Sequence, residues 1–137
     1  MLKSLFHLVA GVALSLFLAF SATAQQAEIE GTISSQIEAF KADDFEQAFT
    51  YATPTLQRLF QTPQNFQRMV TNGYPMVWRP AEVQYLELRE RDGAMFQRVR
   101  ITDQKGFTHT LLYRMIMLDN GWWIGGVQIL QEPGVNA

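Results

Sequence analysis

The apolar residues of this chain change their spacing partway along, and that change constrains the fold more than any single motif. Up to Val70 they recur every three or four positions, as in Ile29, Ile33 and Ile37, which is the spacing of an amphipathic helix. From Val83 onward they mostly alternate with polar residues, which is the spacing of a β-strand. Helices followed by strands indicate an α+β domain.

Polar residues mark where the helices begin after the first one. Asp43 stands three residues before Glu46, which is the spacing of a capping box. We therefore expect Asp43 and Asp44 to start a helix rather than to form a catalytic carboxylate pair. Thr53 and Thr62 each precede a proline, the order expected for an N-cap and a first helical residue.

Turn signals divide the second half into four predicted strands. Asp92-Gly93 and Asn120-Gly121 are hairpin signals. The apolar phase switches at Tyr85-Leu86, which predicts a bulge. The predicted strands are Val83–Arg91, Met95–Thr102, Phe107–Leu118 and Trp122–Leu130. We expect the N-terminal helices to pack on a curved four-stranded antiparallel sheet, in a cone-like architecture that can enclose an apolar cavity.

The first 24 residues have the pattern of a secretory signal peptide. Lys3 precedes the apolar stretch Leu5–Phe20, and small residues surround a cut after Ala24. That stretch is shorter than the roughly 20 residues of a spanning helix, so we predict cleavage over a retained anchor. The expected product is periplasmic or secreted, without a stable membrane span. It has one α+β domain at 25–132 and a loose tail at 133–137.

Composition excludes several kinds of chemistry. The chain has no cysteine, which rules out disulfides, thiolate metal sites and a thiol nucleophile. Cleavage leaves His109 as the only histidine and removes Lys3, so the net charge goes from −2 to −3. We therefore expect no metal, no cofactor and no nucleic-acid partner. Gly125-Gly126 lies inside a strand pattern, where it predicts a bend or close packing rather than a phosphate loop.

Four segments together resemble a family of small exported bacterial proteins known as a domain of unknown function. The segments are IEAFKADDFEQAF, TPQNFQRMV, GYPMVWRP and GWWIGGVQIL, and the resemblance runs from about Ile29 to Leu130. The family is similar in layout to the cystatin-like fold of nuclear transport factor two and ketosteroid isomerase. The resemblance implies a helix-lined cone with a curved sheet. It implies no activity, because that fold hosts enzymes, ligand binders and dimerising modules alike.

The segment between the helices and the strands carries the candidate binding residues. It contains two prolines, so we predict an irregular linker holding Tyr74, Trp78 and Arg79. Aromatic residues beside an arginine can cover the mouth of a pocket or dock a partner. The structural alternative is that Trp78 closes the open end of the core.

Three residues are candidates for acid–base catalysis: Tyr51, Asp103 and His109. Tyr51 lies off the apolar stripe of its helix, and Asp103 lies in a turn signal. His109 shares a strand face with apolar residues, and spacing places no acid beside it, so we expect a structural role.

These observations favour an uncharacterised exported domain that binds a small apolar or amphipathic ligand, or a protein partner, without catalysis. One alternative is an isomerase- or hydrolase-like enzyme that uses the interior of the cone. Another is a homodimer formed through the outer face of the sheet. The apolar residues predicted on that face are Phe96, Leu112, Ile116 and Leu118.

Overall fold

The structure is a computed structural model that describes residues 2–119 and 121–130, with side-chain surroundings from residue 22 onward. The helices of that part are α1 (Leu2–Lys41), α2 (Phe45–Phe49), α3 (Pro54–Phe60), α4 (Pro63–Gly73) and α5 (Pro75–Trp78). The strands are β1 (Pro80–Arg91), β2 (Ala94–Asp103), β3 (Thr108–Leu118) and β4 (Gly121–Leu130). Asn120 and the predicted tail lie outside the described residues, as do the side chains of residues 1–21.

The strands form one antiparallel sheet in the order β1-β2-β3-β4, with the helices packed on one face. β1 and β4 do not pair with each other, so the sheet stays open rather than closing into a barrel. The predicted α+β class is confirmed. Among residues 22–119 and 121–130, no helix combines the length and hydropathy of a membrane-spanning segment.

One face of α1 forms the centre of the hydrophobic core. Ile29, Ile33, Ile37 and Phe40 are all almost fully buried, as their spacing predicts. They belong to the same core cluster as the buried residues of the inner sheet face. Those sheet residues are Val99, Ile101, Leu111, Tyr113, Met115 and Ile124.

The bulge predicted in β1 is present, between Tyr85 and Leu88. Gln97 of β2 is fully buried beneath it. Its Nε2 donates to the carbonyls of Leu86 and Glu87 at 2.9 and 3.3 Å. A buried amide therefore satisfies backbone groups that the irregular pairing leaves free.

A bulge in β4 shapes the inner face beside α3. Arg114 pairs with Gly126 but Met115 pairs with Ile124, so Gly125 is the extra residue. A Cβ at position 125 would lie 2.9 Å from Cγ1 of Ile116, a separation that real side chains essentially never show. The close packing predicted for this glycine pair is therefore found at Gly125.

The helix cap predicted at Asp43 is wrong by one residue. Asp43 has φ 57° and is the left-handed residue that ends α1, its N–H bonded to the Phe40 carbonyl at 3.0 Å. The N–H of Asp44 reaches back to Ala39 at 2.8 Å, completing the two bonds of a Schellman motif. Asp44 is then the N-cap of α2 and accepts from the N–H of Gln47 at 3.1 Å.

The other two caps are confirmed. Thr53 accepts from the N–H of Leu56, and Thr62 accepts from the N–H of Asn65, each followed by a proline at the first helical position. The predicted linker is less irregular than expected. Four of its residues, Pro75–Trp78, form the single-turn helix α5, which begins with a proline for the same reason.

Candidate functional site

A cavity of about 290 Å³ lies between the helices and the inner face of β3 and β4. Every helix but α2 contributes at least one residue to its wall. The lining residues are Gln36, Phe40, Ala52, Leu56, Phe60, Phe66, Met69, Val70, Tyr74, Val77, Tyr113, Ile124, Gly126 and Val127. Eleven of these fourteen are apolar or glycine, and none of them is charged.

A backbone bridge holds α3 beside the sheet. Ala52 pairs with Ile124 across an isolated parallel bridge. The N–H of Thr53 donates to the Ile124 carbonyl at 2.9 Å, and the N–H of Ile124 donates to the Tyr51 carbonyl at 2.9 Å. The bridge covers part of the open edge of β4 and fixes where α3 begins, because Thr53 is also the N-cap of that helix.

The outer part of the cavity wall comes from α3 and α4. Leu56, Phe60 and Met69 line the cavity and are only half-buried, so their apolar surfaces reach both the cavity and solvent. α3 contains no fully buried residue, whereas Phe66 of α4 is 5% exposed and packs against Phe60 with ring centroids 5.5 Å apart. We call the half-buried residues Leu56, Phe60 and Met69 the mouth of the cavity. Buried residues such as Phe66 form its base and are more tightly packed.

Three polar side chains reach the cavity, and two have partners. The Tyr74 hydroxyl donates to the Val127 carbonyl at 3.1 Å, and Nε2 of Gln36 donates to the Ala48 carbonyl at 3.1 Å. The Tyr113 hydroxyl forms no hydrogen bond with any residue in the described part of the chain. Tyr113 is 1% exposed, and burial raises the pKa of its phenol, so it remains a neutral hydrogen-bond donor.

Sequence analysis did not single out Tyr113 or Gln36. Alternation placed Tyr113 on the inner face of β3 but could not distinguish a buried hydroxyl with a partner from one without. The available signal was a phenol in an otherwise aliphatic row, between Leu111 and Met115. Buried tyrosines usually find a partner for the hydroxyl, so such a position merits inspection.

The structure divides the three predicted binding residues between two places. Tyr74 lines the cavity, but Trp78 and Arg79 contact the end of α1. Nε1 of Trp78 and Nη2 of Arg79 both donate to Oδ1 of Asp43 at 2.8 Å. The guanidinium also lies over the Trp78 ring, with Cζ 4.4 Å from the centroid. We call Asp43, Trp78 and Arg79 the clamp.

The clamp is a structural connection between α1 and α5. Nη1 of Arg79 donates to the Phe40 carbonyl at 3.2 Å, and a cation at a helix C-terminus also complements the helix dipole. The hydrogen bonds from Trp78 and Arg79 lower the pKa of Asp43 below its ordinary value. The Trp78 ring packs on Phe45 with ring centroids 6.4 Å apart.

The three acid–base candidates do not line the cavity in the described structure. The Tyr51 hydroxyl accepts from Nε2 of Gln47 at 3.2 Å. Asp103 and His109 do meet, with Oδ2 and Nε2 2.8 Å apart. Spacing along the chain did not place an acid beside His109, but the β2–β3 hairpin brings Asp103 to it. His109 is four positions from Tyr113 along β3, about 13 Å away.

Asp103 organises the turn as well as binding the histidine. Its Oδ1 accepts from the N–H groups of Lys105 and Phe107 at 2.9 and 3.0 Å. The bond from His109, followed by these backbone bonds, lowers the pKa of Asp103. The arrangement closes a hairpin, and neither Asp103 nor His109 is among the described residues that line the cavity. No cluster of three His, Cys, Asp or Glu side chains that could hold a metal occurs in the described part of the chain.

Residues of the predicted outer face lie on the side of the sheet away from α1. Phe96, Leu112, Ile116 and Leu118 are each half-buried in the single chain. Arg98 lies among them and pairs with Glu87 at 3.1 Å, with both side chains partly exposed.

Comparison with known proteins assigns the chain to a family. Residues 22–137 match the family described as Domain of unknown function (DUF4864), and the chain belongs to it. No curated protein matches the chain. The family match begins just before the predicted cleavage site and includes every residue of the cavity wall.

Proposed function

We propose that this DUF4864 protein is an exported domain that binds a small apolar or amphipathic ligand in the cavity beneath α3 and α4, without catalysis. The observation that carries the proposal is the cavity itself. Its volume of about 290 Å³ is close to the lower end of the range for ligand pockets, about 300 Å³. An apolar wall with very few polar groups is typical of sites for small molecules.

The arrangement of acids and bases supports binding over catalysis. The described residues of the cavity wall include no carboxylate, imidazole or ammonium group, so none of them is a general acid or base of ordinary pKa facing a bound molecule. Asp103 and His109 form a pair, but the pair lies at the far end of β3. A binding role needs only complementary surface, which the wall supplies.

Export is the second part of the proposal. It rests on the signal-peptide pattern of residues 1–24. The mass of the protein isolated from a periplasmic extract tests it, and we expect a chain that begins at Gln25. A full-length mass recovered from the membrane fraction would contradict cleavage and favour a retained anchor.

Binding is tested with butylbenzene, an apolar molecule small enough for the cavity. Isothermal titration calorimetry of the mature domain should show one site. Leu56→Trp places an indole where a lining side chain of α3 stands and should weaken binding by at least about tenfold, which is about 1.4 kcal/mol.

The matched control is Leu59→Trp, because Leu59 is on the same helix, is 71% exposed and does not line the cavity. It should bind butylbenzene like the unmodified domain. No binding by the unmodified domain, or equal loss in both variants, would contradict the proposal. Circular dichroism on all three proteins separates a blocked cavity from a failure to fold.

A further inference from the structure

We propose that the cavity selects an uncharged ligand of about a dozen non-hydrogen atoms whose single oxygen acceptor bonds to the hydroxyl of Tyr113. This inference rests on the proposed function and specifies the ligand class. Three observations carry it: the size of the cavity, the absence of charge among its described lining residues, and Tyr113 in its wall, whose hydroxyl forms no hydrogen bond with the described part of the chain.

Size limits the ligand. An apolar cavity of about 150 Å³ accommodates benzene, which has about six non-hydrogen atoms. This cavity has about twice that volume, at about 290 Å³. With the same number of ligand atoms per unit volume, this cavity would hold a ligand of roughly 12 non-hydrogen atoms. Longer molecules would extend past the half-buried mouth residues Leu56, Phe60 and Met69 into solvent.

The wall selects against charge. A carboxylate or ammonium group entering the cavity would lose its hydration and meet no opposite charge on the described lining residues, none of which is ionic. Tyr113 cannot supply a negative charge near neutral pH, because burial and the nearby Tyr85 and Tyr74 raise the pKa of its phenol. A neutral ligand is therefore favoured.

Tyr113 sets the orientation. Tyr113 lines the cavity from β3, its side chain is 1% exposed, and a hydroxyl donor that lacks an acceptor in such surroundings is unfavourable. A ligand oxygen placed there satisfies it, while Tyr74 is already bonded to the Val127 carbonyl. The apolar part of the ligand then points toward the mouth, where Leu56, Phe60 and Met69 cover it.

Three probes of one shape test the proposal by calorimetry. 4-Phenylbutan-2-one carries one neutral carbonyl, 3-phenylpropanoate replaces its terminal methyl by a charged oxygen, and butylbenzene replaces the carbonyl by a methylene. At pH 7 we expect the carboxylate to bind at least about tenfold more weakly than the ketone. Carboxylate binding equal to or tighter than ketone binding would overturn the exclusion of charge.

Tyr113→Phe tests the hydrogen bond, since it removes only the hydroxyl. It should weaken binding of the ketone by roughly 2- to 10-fold and leave the affinity for butylbenzene unchanged or slightly higher. Retained butylbenzene binding shows that the variant is folded and that the cavity is intact. An equal effect on both probes would overturn the role of Tyr113 while leaving the proposed function standing. Failure of butylbenzene to bind the unmodified domain would overturn both.

Discussion

The segment from Tyr74 to Arg79 ends in two different environments, and the contrast separates structure from candidate function. At its C-terminal end, Trp78 and Arg79 share one carboxylate oxygen of Asp43, and Arg79 also donates to the Phe40 carbonyl of α1. At its N-terminal end, Tyr74 lines a cavity in which the hydroxyl of Tyr113 has no protein partner among the described residues.

The clamp and the cavity differ in whether their polar groups have hydrogen-bond partners. In the clamp, each polar side chain meets another, and the result is a fixed junction between α1 and α5. In the cavity, space is left beside a buried donor, although interiors are normally packed to the density of organic crystals. Empty apolar volume beside an unpaired donor costs stability, so it marks the place where a ligand can contribute most.

Truncation of the base of the cavity should have the largest effect. Phe40 is 1% exposed, lines the cavity and packs on Phe45 and Phe66 with centroid separations of 5.8 Å. Phe40→Ala should lower the free energy of unfolding by about 3–5 kcal/mol in urea titrations. Leu56→Ala, at the mouth, should lower the free energy of unfolding by much less. Equal losses would show that mouth and base are equally well packed.

The bulge that shapes the cavity wall should be the next most sensitive point. Gly125→Ala would place a Cβ 2.9 Å from Ile116 and should destabilise by about 1–3 kcal/mol. Gly126→Ala is the matched control, because nothing lies within 4 Å of a Cβ built there. Thermal unfolding of the two variants measures the difference. A larger loss at position 126 would show that the bulge is placed incorrectly.

Removing the hydroxyls of two tyrosines in the same wall should change the stability of the domain differently. Tyr74→Phe removes the bond to the Val127 carbonyl and should cost about 1 kcal/mol. Tyr113→Phe removes a donor that has no protein acceptor and should leave the ligand-free domain unchanged or more stable by up to about 1 kcal/mol. Urea titrations of ligand-free protein test both. A loss of about 1 kcal/mol for Tyr113→Phe would indicate a partner for its hydroxyl.

The clamp should show the smallest effect, visible mainly in acid. The pKa of Asp43 is lowered in the folded protein, so its contribution to stability is complete above the ordinary aspartate pKa of about 3.9. That contribution is lost as the pH falls through the lowered folded value. Asp43→Asn should therefore reduce stability at pH 7 and flatten the decline between about pH 5 and pH 2.

The control for the clamp is Asp92→Asn, since the Asp92 side chain is 94% exposed and its ion pair with Arg91 is long, at 3.9 Å. Its acid profile should match that of the unmodified domain. Equal flattening in both variants would remove the clamp as the cause.

Local signals predicted most elements because each depends on neighbouring residues. The Thr-Pro starts of α3 and α4, the four strands, the Asp92-Gly93 turn and the bulge after Tyr85 follow from caps, alternation and turn chemistry. The capping pattern predicted the N-cap one residue too early because the C-terminal motif of α1 extends into the same segment. Asp43 is part of the Schellman motif that ends α1, so Asp44 is the N-cap of α2.

The sequence by itself determined the α+β class and the inner face of the sheet, since hydrophobic periodicity reports which side of each element is buried. Tertiary structure alone decided which polar groups meet. It joined Asp43 to Trp78 and Arg79, folded His109 onto Asp103, and left Tyr113 facing a cavity. The physical reason is that hydrogen bonding requires atoms within about 3 Å. Distances between residues far apart in the chain depend on how the helices pack on the sheet, which local patterns do not specify.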